Sequence, residues 1–130
     1  MPYVPSFFSI NQKLVFTREN GEPWVKLQYE EFENVLRNML RAIDLDEAWY
    51  RETYPDVDAA IKAGDLPNAR EHFITSGYFE GRLPGDFEVD EAWYFTTYPD
   101  IAEAHARGEV ASAKQHFVEF GYAEGRLPRA

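Results

Sequence analysis

Apolar and polar residues alternate on both sides of Asn20-Gly21, a pattern that predicts a β-hairpin. Asn-Gly favours a two-residue type I′ turn because both positions need positive φ. This turn places Phe16 opposite Val25 and Leu14 opposite Leu27 on one apolar face, while Trp24 lies on the mixed face. Segment 6–10 is expected to add a third strand through a turn near 11–12.

The next segment, 29–43, has apolar residues at spacings of three and four, which predicts an amphipathic helix. Acidic residues stand early in this segment, and Arg37 and Arg41 stand late, as the helix dipole favours. The apolar stripe has two interpretations. It packs on the hairpin and the following segment, or part of it forms an oligomer interface. The interface candidates are Phe32, Val35, Leu36, Met39, Leu40 and Ile43.

The rest of the chain is a tandem duplication. Segment 46–84 returns as 90–128 without a gap, at an offset of 44, and 21 of the 39 positions are identical. A duplicated unit is typical of a scaffold that packs on its copy or presents one surface twice.

Each copy predicts three short helices. The first begins at an acidic residue, and the second begins at Pro55 or Pro99, because a residue before proline is pushed out of the helical region. The third opens with a capping box at Asn68 or Ser112. Gly64 and Gly108 are expected to end the second helix by adopting positive φ, and Gly77 and Gly121 are expected to close the third helix.

These patterns predict a mainly α fold of the α+β class. An N-terminal β-hairpin and a long helix precede two tandem three-helix repeats. Residues 1–43 are expected to form an oligomerisation or capping unit, and residues 44–130 the two repeats, 44–86 and 88–130.

The motif Tyr54-Pro55-Asp56-Val57, followed by His72-Phe73 and Glu80-Gly81-Arg82, resembles a short bacterial repeat. That repeat occurs in tandem beside glycosyltransferase domains, in polysaccharide-synthesis proteins and in some large surface proteins. The resemblance covers about 44–128, twice over. It implies a helical accessory or interaction module linked to cell-surface polysaccharide production, and it brings no catalytic residues with it.

Charge and composition narrow the classes of partner. The 130 residues carry a formal net charge of −10, which disfavours nucleic acid and anionic membranes as partners. The chain has no cysteine, which excludes disulfides, thiolate catalysis and zinc–thiolate sites. The N-terminus lacks the features of a signal peptide, and no apolar run is long enough to cross a bilayer. We therefore expect a cytoplasmic protein with no membrane insertion.

Several aromatic and polar side chains are candidates for contact with a ligand or partner, and each also has a structural interpretation. Duplicated Trp-Tyr pairs can stack on sugar rings or fill the core. The duplicated histidines can contact a ligand or be hydrogen-bonded core residues. The duplicated arginines can bind an anion or form a bidentate ion pair with Asp56 or Glu47. The candidates are Trp24, Trp49, Tyr50, His72, Arg82, Trp93, Tyr94, His116 and Arg126.

No catalytic motif or metal-ligand spacing is present in the sequence, so we expect no enzyme activity, no cofactor and no metal. The favoured function is a non-catalytic protein-interaction, scaffold or regulatory module that forms a homodimer. The alternative is a glycan-binding module that uses the duplicated Trp-Tyr pairs. A hydrolase is the least favoured class.

Overall fold

The computed structural model describes residues 3–130 and confirms a mainly α fold with one small antiparallel hairpin. The N-terminal part contains α1 (Phe7–Asn11), β1 (Val15–Glu19), β2 (Glu22–Lys26) and α2 (Tyr29–Leu40). The first repeat contains α3 (Glu47–Thr53), α4 (Pro55–Lys62) and α5 (Ala69–His72), which continues as the π-helical turn Phe73–Gly77. The second contains α6 (Glu91–Thr97), α7 (Pro99–Ala106) and α8 (Ala113–His116), which continues as the π-helical turn Phe117–Gly121.

The hairpin has the predicted register. Phe16 faces Val25, and Thr17 faces Trp24. Asn20 and Gly21 form the turn with φ of 53° and 80°, so both adopt the positive φ that a type I′ turn requires.

The third strand predicted for 6–10 is wrong, because this segment forms α1 instead. Ser6 caps the helix, and its Oγ accepts a hydrogen bond from the backbone N–H of Ser9 at 3.2 Å. The cap provides a local acceptor for the Ser9 N–H. In a strand, backbone N–H groups would instead need acceptors on the hairpin.

The predicted extent of α2 is also wrong at its C-terminal end. The helix ends at Leu40, and Ile43 donates to the Leu40 carbonyl in a tighter turn. The guanidinium of Arg70 donates to the carbonyls of Arg41 and Ile43. A side chain from the first repeat therefore binds the carbonyls that follow α2.

The predicted helix starts in the repeats are confirmed. Asp46 accepts from Trp49 N–H at 2.9 Å, and Asn68 accepts from Glu71 N–H at 2.8 Å. The corresponding bonds of Asp90 and Ser112 measure 3.0 Å each.

Only half of each capping box forms, because Glu71 binds Arg41 and Gln115 accepts from the N–H of Ala111 instead of from the cap residue. Further donors at the start of the third helix are bound by a glutamate of another helix. In the first repeat, the carboxylate of Glu47 on α3 accepts the N–H groups of Ala69, at 2.6 Å, and Arg70, at 3.3 Å. In the second, Glu91 on α6 accepts from Ala113 at 3.0 Å.

Each repeat has a core of its own and closes on itself. The N–H of Asp46 donates to the Pro84 carbonyl at 3.2 Å, and that of Asp90 donates to the Pro128 carbonyl at 3.0 Å. The first core contains Leu40, Tyr50, Val57, Ala69, Phe73 and Ile74. The second contains Leu83, Tyr94, Ile101, Ala113 and Phe117.

Leu83 and Trp49 pack where the two repeats meet. Leu83 comes from the end of the first repeat but is buried in the second core. Trp49 is half-buried and packs against both cores. The N-terminal part is joined in a similar way, because Leu40 at the end of α2 is buried in the first core.

The N-terminal part has no core of its own. No residue from 3 to 39 is buried, and all residues of both strands are exposed. Among residues 3–130, no helix combines the length and apolar character that crossing a membrane requires.

Candidate functional site

A tyrosine–histidine pair lies inside each repeat. The hydroxyl of Tyr50 is 3.0 Å from Nδ1 of His72, and that of Tyr94 is 2.8 Å from Nδ1 of His116. Both tyrosine side chains are fully buried. Burial raises the pKa of Tyr50 and Tyr94 and lowers the pKa of His72. In the first repeat, the pair is therefore a neutral hydroxyl beside a neutral imidazole, a structural hydrogen bond.

Gly77 and Gly121 leave room for these pairs. Both glycines close the third helix, as predicted, and they do so without positive φ. A Cβ atom at Gly77 would lie 2.2 Å from the Tyr50 hydroxyl oxygen, and one at Gly121 would lie 2.4 Å from that of Tyr94. Glycine is required here because a side-chain hydroxyl approaches the π-helical backbone.

An arginine clasp closes each repeat, which confirms the predicted bidentate ion pair with Asp56. Nη1 and Nη2 of Arg82 donate to the Asp56 carboxylate at 2.9 and 2.7 Å, and Nε donates to Glu80 at 2.8 Å. The guanidinium carbon also lies 4.9 Å from the centroid of the Tyr54 ring. The hydrogen bonds from Arg82 lower the pKa of Asp56 to about 2.

The second clasp has the same construction. Arg126 donates to Asp100 at 3.2 and 2.9 Å and to Glu124 at 2.7 Å, and its guanidinium carbon lies 4.8 Å from the Tyr98 ring centroid. The pKa of Asp100 is lowered, chiefly by its hydrogen bonds to Arg126. Both arginines are thus engaged by carboxylates of their own repeat.

The duplicated Trp-Tyr pairs are divided between core and surface. Tyr50 and Tyr94 are enclosed and cannot stack on a sugar, so a ligand role for them has no support in their placement. Trp49 and Trp93 are half-buried, and each meets the next tyrosine edge-on, at centroid distances of 6.1 and 6.2 Å. Trp24 is exposed on the hairpin, far from this arrangement in sequence.

The repeats therefore use most of the predicted site residues for their own construction. Tyr50, His72 and Arg82 serve the first repeat, as their counterparts serve the second. Within residues 3–130, no group of three or more histidine, aspartate or glutamate side chains converges as metal ligands would.

A large apolar surface covers the N-terminal part, and we call it the N-terminal apolar surface. Its side chains come from the segment before α1, from α1, from both strands and from α2, and each is between 45% and 76% exposed. They are Tyr3, Val4, Phe7, Phe8, Val15, Phe16, Trp24, Val25, Tyr29, Phe32 and Met39.

Between the hairpin and α2 lies an open apolar cavity of about 520 Å³. Leu14, Val25 and Leu27 line it on the hairpin side, and Phe32 and Val35 line it on the α2 side. The apolar face of the hairpin thus points towards α2 without filling the space between them.

The six predicted interface residues do not share one environment. Phe32 and Met39 are exposed and belong to the N-terminal apolar surface, whereas Val35 and Leu36 are half-buried. Leu40 is buried in the first core, so its assignment to an oligomer interface is wrong. Ile43 is exposed but lies beyond the helix, beside a cleft that Phe87 also lines.

Charge is divided unevenly along the chain. Residues 1–43 contain five basic and five acidic side chains and are therefore neutral. Residues 44–130 contain eight basic and eighteen acidic side chains, so they carry the whole net charge of −10.

Sequence reasoning missed two features of these surfaces. No local sequence pattern predicted that Glu47 and Glu91 each cap a helix other than their own. The one available signal was that both copies of the repeat have a glutamate at this position. The contribution of Phe7 and Phe8 was missed because their segment was assigned to a strand.

Comparison with family models, curated proteins and solved structures finds no match to this chain.

Proposed function

We propose that this protein is a non-catalytic interaction scaffold that forms a homodimer through its N-terminal apolar surface. In the dimer, the two helical repeats of each chain lie away from the interface, where they are accessible to a protein partner. The resemblance of the repeats supports a role in bacterial cell-surface polysaccharide production, with the cytoplasm as the compartment.

The observation that carries this proposal is the N-terminal apolar surface. A two-stranded ribbon is marginally stable in water unless another surface covers it. Here α2 covers one face incompletely, and large side chains such as Phe8 and Phe16 stay exposed. A large exposed apolar surface is typical of protein–protein interfaces.

The charge distribution favours a second copy as the occupant of this surface. Two neutral N-terminal parts can meet without net repulsion, whereas two sets of repeats with −10 each repel one another. Contact through residues 3–39 keeps the acidic repeats apart. An anionic membrane is disfavoured by the same charge.

The interior of the repeats supports a scaffold over an enzyme. The aromatic and charged side chains shared by the two copies bond to each other, as the Arg82–Asp56 and Tyr50–His72 pairs do. Such bonds stabilise the fold of each repeat. Glycan binding, the alternative function, is disfavoured because the rings of Tyr50 and Tyr94 are buried and cannot contact a sugar.

Light scattering after size exclusion, at tens of micromolar protein, tests the proposal. The wild-type chain is expected to elute with about twice the monomer mass of 15.1 kDa. Phe16→Glu places a charge in the N-terminal apolar surface and is expected to give a monomer whose far-ultraviolet circular dichroism retains the helices of the repeats.

Phe120→Glu is the matched control, because Phe120 is 56% exposed on the second repeat and Phe16 is 59% exposed. It introduces the same charge on the same type of side chain and is expected to leave the dimer intact. A wild-type chain that elutes at 15.1 kDa throughout this concentration range would refute the proposal.

A further inference from the structure

The end of the second repeat presents the same side chains with which the first repeat holds its neighbour. In the first repeat, Leu83 inserts into the second core and is 4% exposed. Trp49 lies beside it and packs against both cores. These two side chains pack in the contact between the repeats.

The second repeat reproduces this pair without a neighbour. Leu127, the counterpart of Leu83, is 58% exposed, and Trp93 packs only against the core of its own repeat. The supporting bonds are nearly the same length in both copies. The Tyr54 hydroxyl accepts from Leu83 N–H at 2.9 Å, and the Tyr98 hydroxyl accepts from Leu127 N–H at 2.8 Å. The backbone and aromatic support of this surface is therefore preserved at the open end.

The existing contact between the repeats defines what this surface accepts. On the receiving side, Phe87 and Val89 stand at the start of the second repeat and pack against the core that holds Leu83. A partner for Leu127 and Trp93 must offer the same elements, an apolar core that opens beside an aromatic residue.

A second copy of this chain does not offer such a core. The core of the first repeat already contains Leu40 from α2, and the core of the second repeat already contains Leu83. We propose that the open end of the second repeat, formed by Trp93, Tyr98 and Leu127, binds a further helical repeat of the same type. That further repeat has a receiving core that no preceding segment fills.

A chain extended by one repeat tests this proposal. Residues 85–128 are repeated directly after Pro128, so that Leu127-Pro128 is followed by Gly-Asp-Phe, as Leu83-Pro84 is. Tethering raises the effective concentration of the added repeat to the millimolar range, so even weak docking is detected.

The extended chain is expected to unfold in urea as one unit. Its m-value should rise by roughly a third relative to the 130-residue chain, because m scales with the surface exposed on unfolding. Backbone amides of the added repeat should be protected in hydrogen exchange. The proposal is overturned if the m-value does not change, or if the added repeat is unprotected while residues 44–128 stay protected.

Leu127→Asp separates docking from the intrinsic folding of the added repeat. In the 130-residue chain, this change is expected to leave the urea midpoint unchanged, because Leu127 is 58% exposed. In the extended chain, it should split the transition and remove the protection of the added repeat. An extended Leu127→Asp chain as cooperative as its parent would also overturn the proposal. Neither measurement depends on dimer formation through the N-terminal part.

Discussion

At the scale of single residues, the duplicated side chains are explained by what they bond to inside each repeat. Tyr50 is held by His72, and Arg82 is held by Asp56 and Glu80. Gly77 makes the first of these pairs possible, because any larger residue would occupy the position of the tyrosine hydroxyl.

Gly77→Ala should therefore destabilise the protein by about 1–3 kcal/mol, the usual cost of overpacking a core. Its Cβ would meet the Tyr50 hydroxyl at 2.2 Å, so either the tyrosine or the π-helical turn must shift. Urea denaturation followed by circular dichroism measures the change in the free energy of unfolding.

Two variants control for the change in chain entropy and for the hydroxyl. Gly85→Ala meets only an ordinary contact, 3.8 Å from Asp46 Cβ, and should be close to neutral. In a Tyr50→Phe background, Gly77→Ala should cost less, because the clashing oxygen is gone. Equal costs in the two backgrounds would contradict this explanation.

At the scale of elements, the repeats combine local caps with caps from a neighbouring helix. Asn68 caps α5 from within its own sequence, and Glu47 on α3 accepts two further N–H groups of α5. The relative position of these helices is thereby fixed by hydrogen bonds as well as by apolar packing.

The first two helices of each repeat are joined by a different contact in each copy. In the first repeat, Arg51 on α3 bonds Asp58 on α4 at 2.6 Å. In the second, phenylalanine and alanine replace these residues, and Phe95 stacks on His105 with ring centroids 4.9 Å apart. An ion pair and an aromatic stack thus connect the same pair of helices.

Glu47→Ala tests the cap from the neighbouring helix. It should destabilise the protein by about 1–2 kcal/mol, because the N–H groups of Ala69 and Arg70 lose their acceptor. Glu52→Ala, an exposed position on the same helix, should change stability by less than about 0.5 kcal/mol. The free energy of unfolding from urea titration distinguishes the two. Equal effects of the two variants would show that the carboxylate of Glu47 does not act as a cap.

At the scale of the whole molecule, stability is unevenly distributed. Each repeat has a core, whereas residues 3–39 have none. They are attached to the first repeat through Leu40, which is buried in its core, and through Arg37, whose guanidinium carbon lies 4.8 Å from the centroid of the Phe79 ring. Folding of the hairpin should therefore be linked to association, while folding of the repeats is not.

The melting of the hairpin should accordingly depend on protein concentration. Binding that is restricted to the folded state raises the apparent Tm as concentration rises. Amide exchange in β1 and β2 should slow between 1 and 100 µM protein, and exchange in α3 to α8 should change little. Hairpin exchange that is independent of concentration would contradict a dimer formed through this surface.

The hairpin register and most helix starts could be predicted from sequence because their causes lie within a few residues. Asn20-Gly21 sets the turn, and Asp46 and Asn68 each accept a hydrogen bond from an N–H three residues later. Charge predicted a bidentate carboxylate partner for Arg82, such as Asp56 or Glu47, and in the structure it is Asp56.

The features that were mispredicted have causes distant in sequence. Arg70 binds the backbone beyond α2, where the stripe of apolar residues predicted three more helical residues. Gly77 closes its helix as predicted, but the need for a glycine there comes from the hydroxyl of Tyr50, which is distant in sequence. Periodicity reports that a helix has an apolar face, and it does not report what the face meets.

The sequence by itself determined the hairpin, the starts of the repeat helices with their local caps, and the duplication, because turn geometry, capping and periodicity act between near neighbours. The tertiary structure alone decided which apolar residues are buried. Leu83 and Leu127 are the same residue in the same motif, yet one fills a core and the other faces solvent. Burial depends on the neighbour that covers a side chain, and that neighbour is set by how the repeats pack.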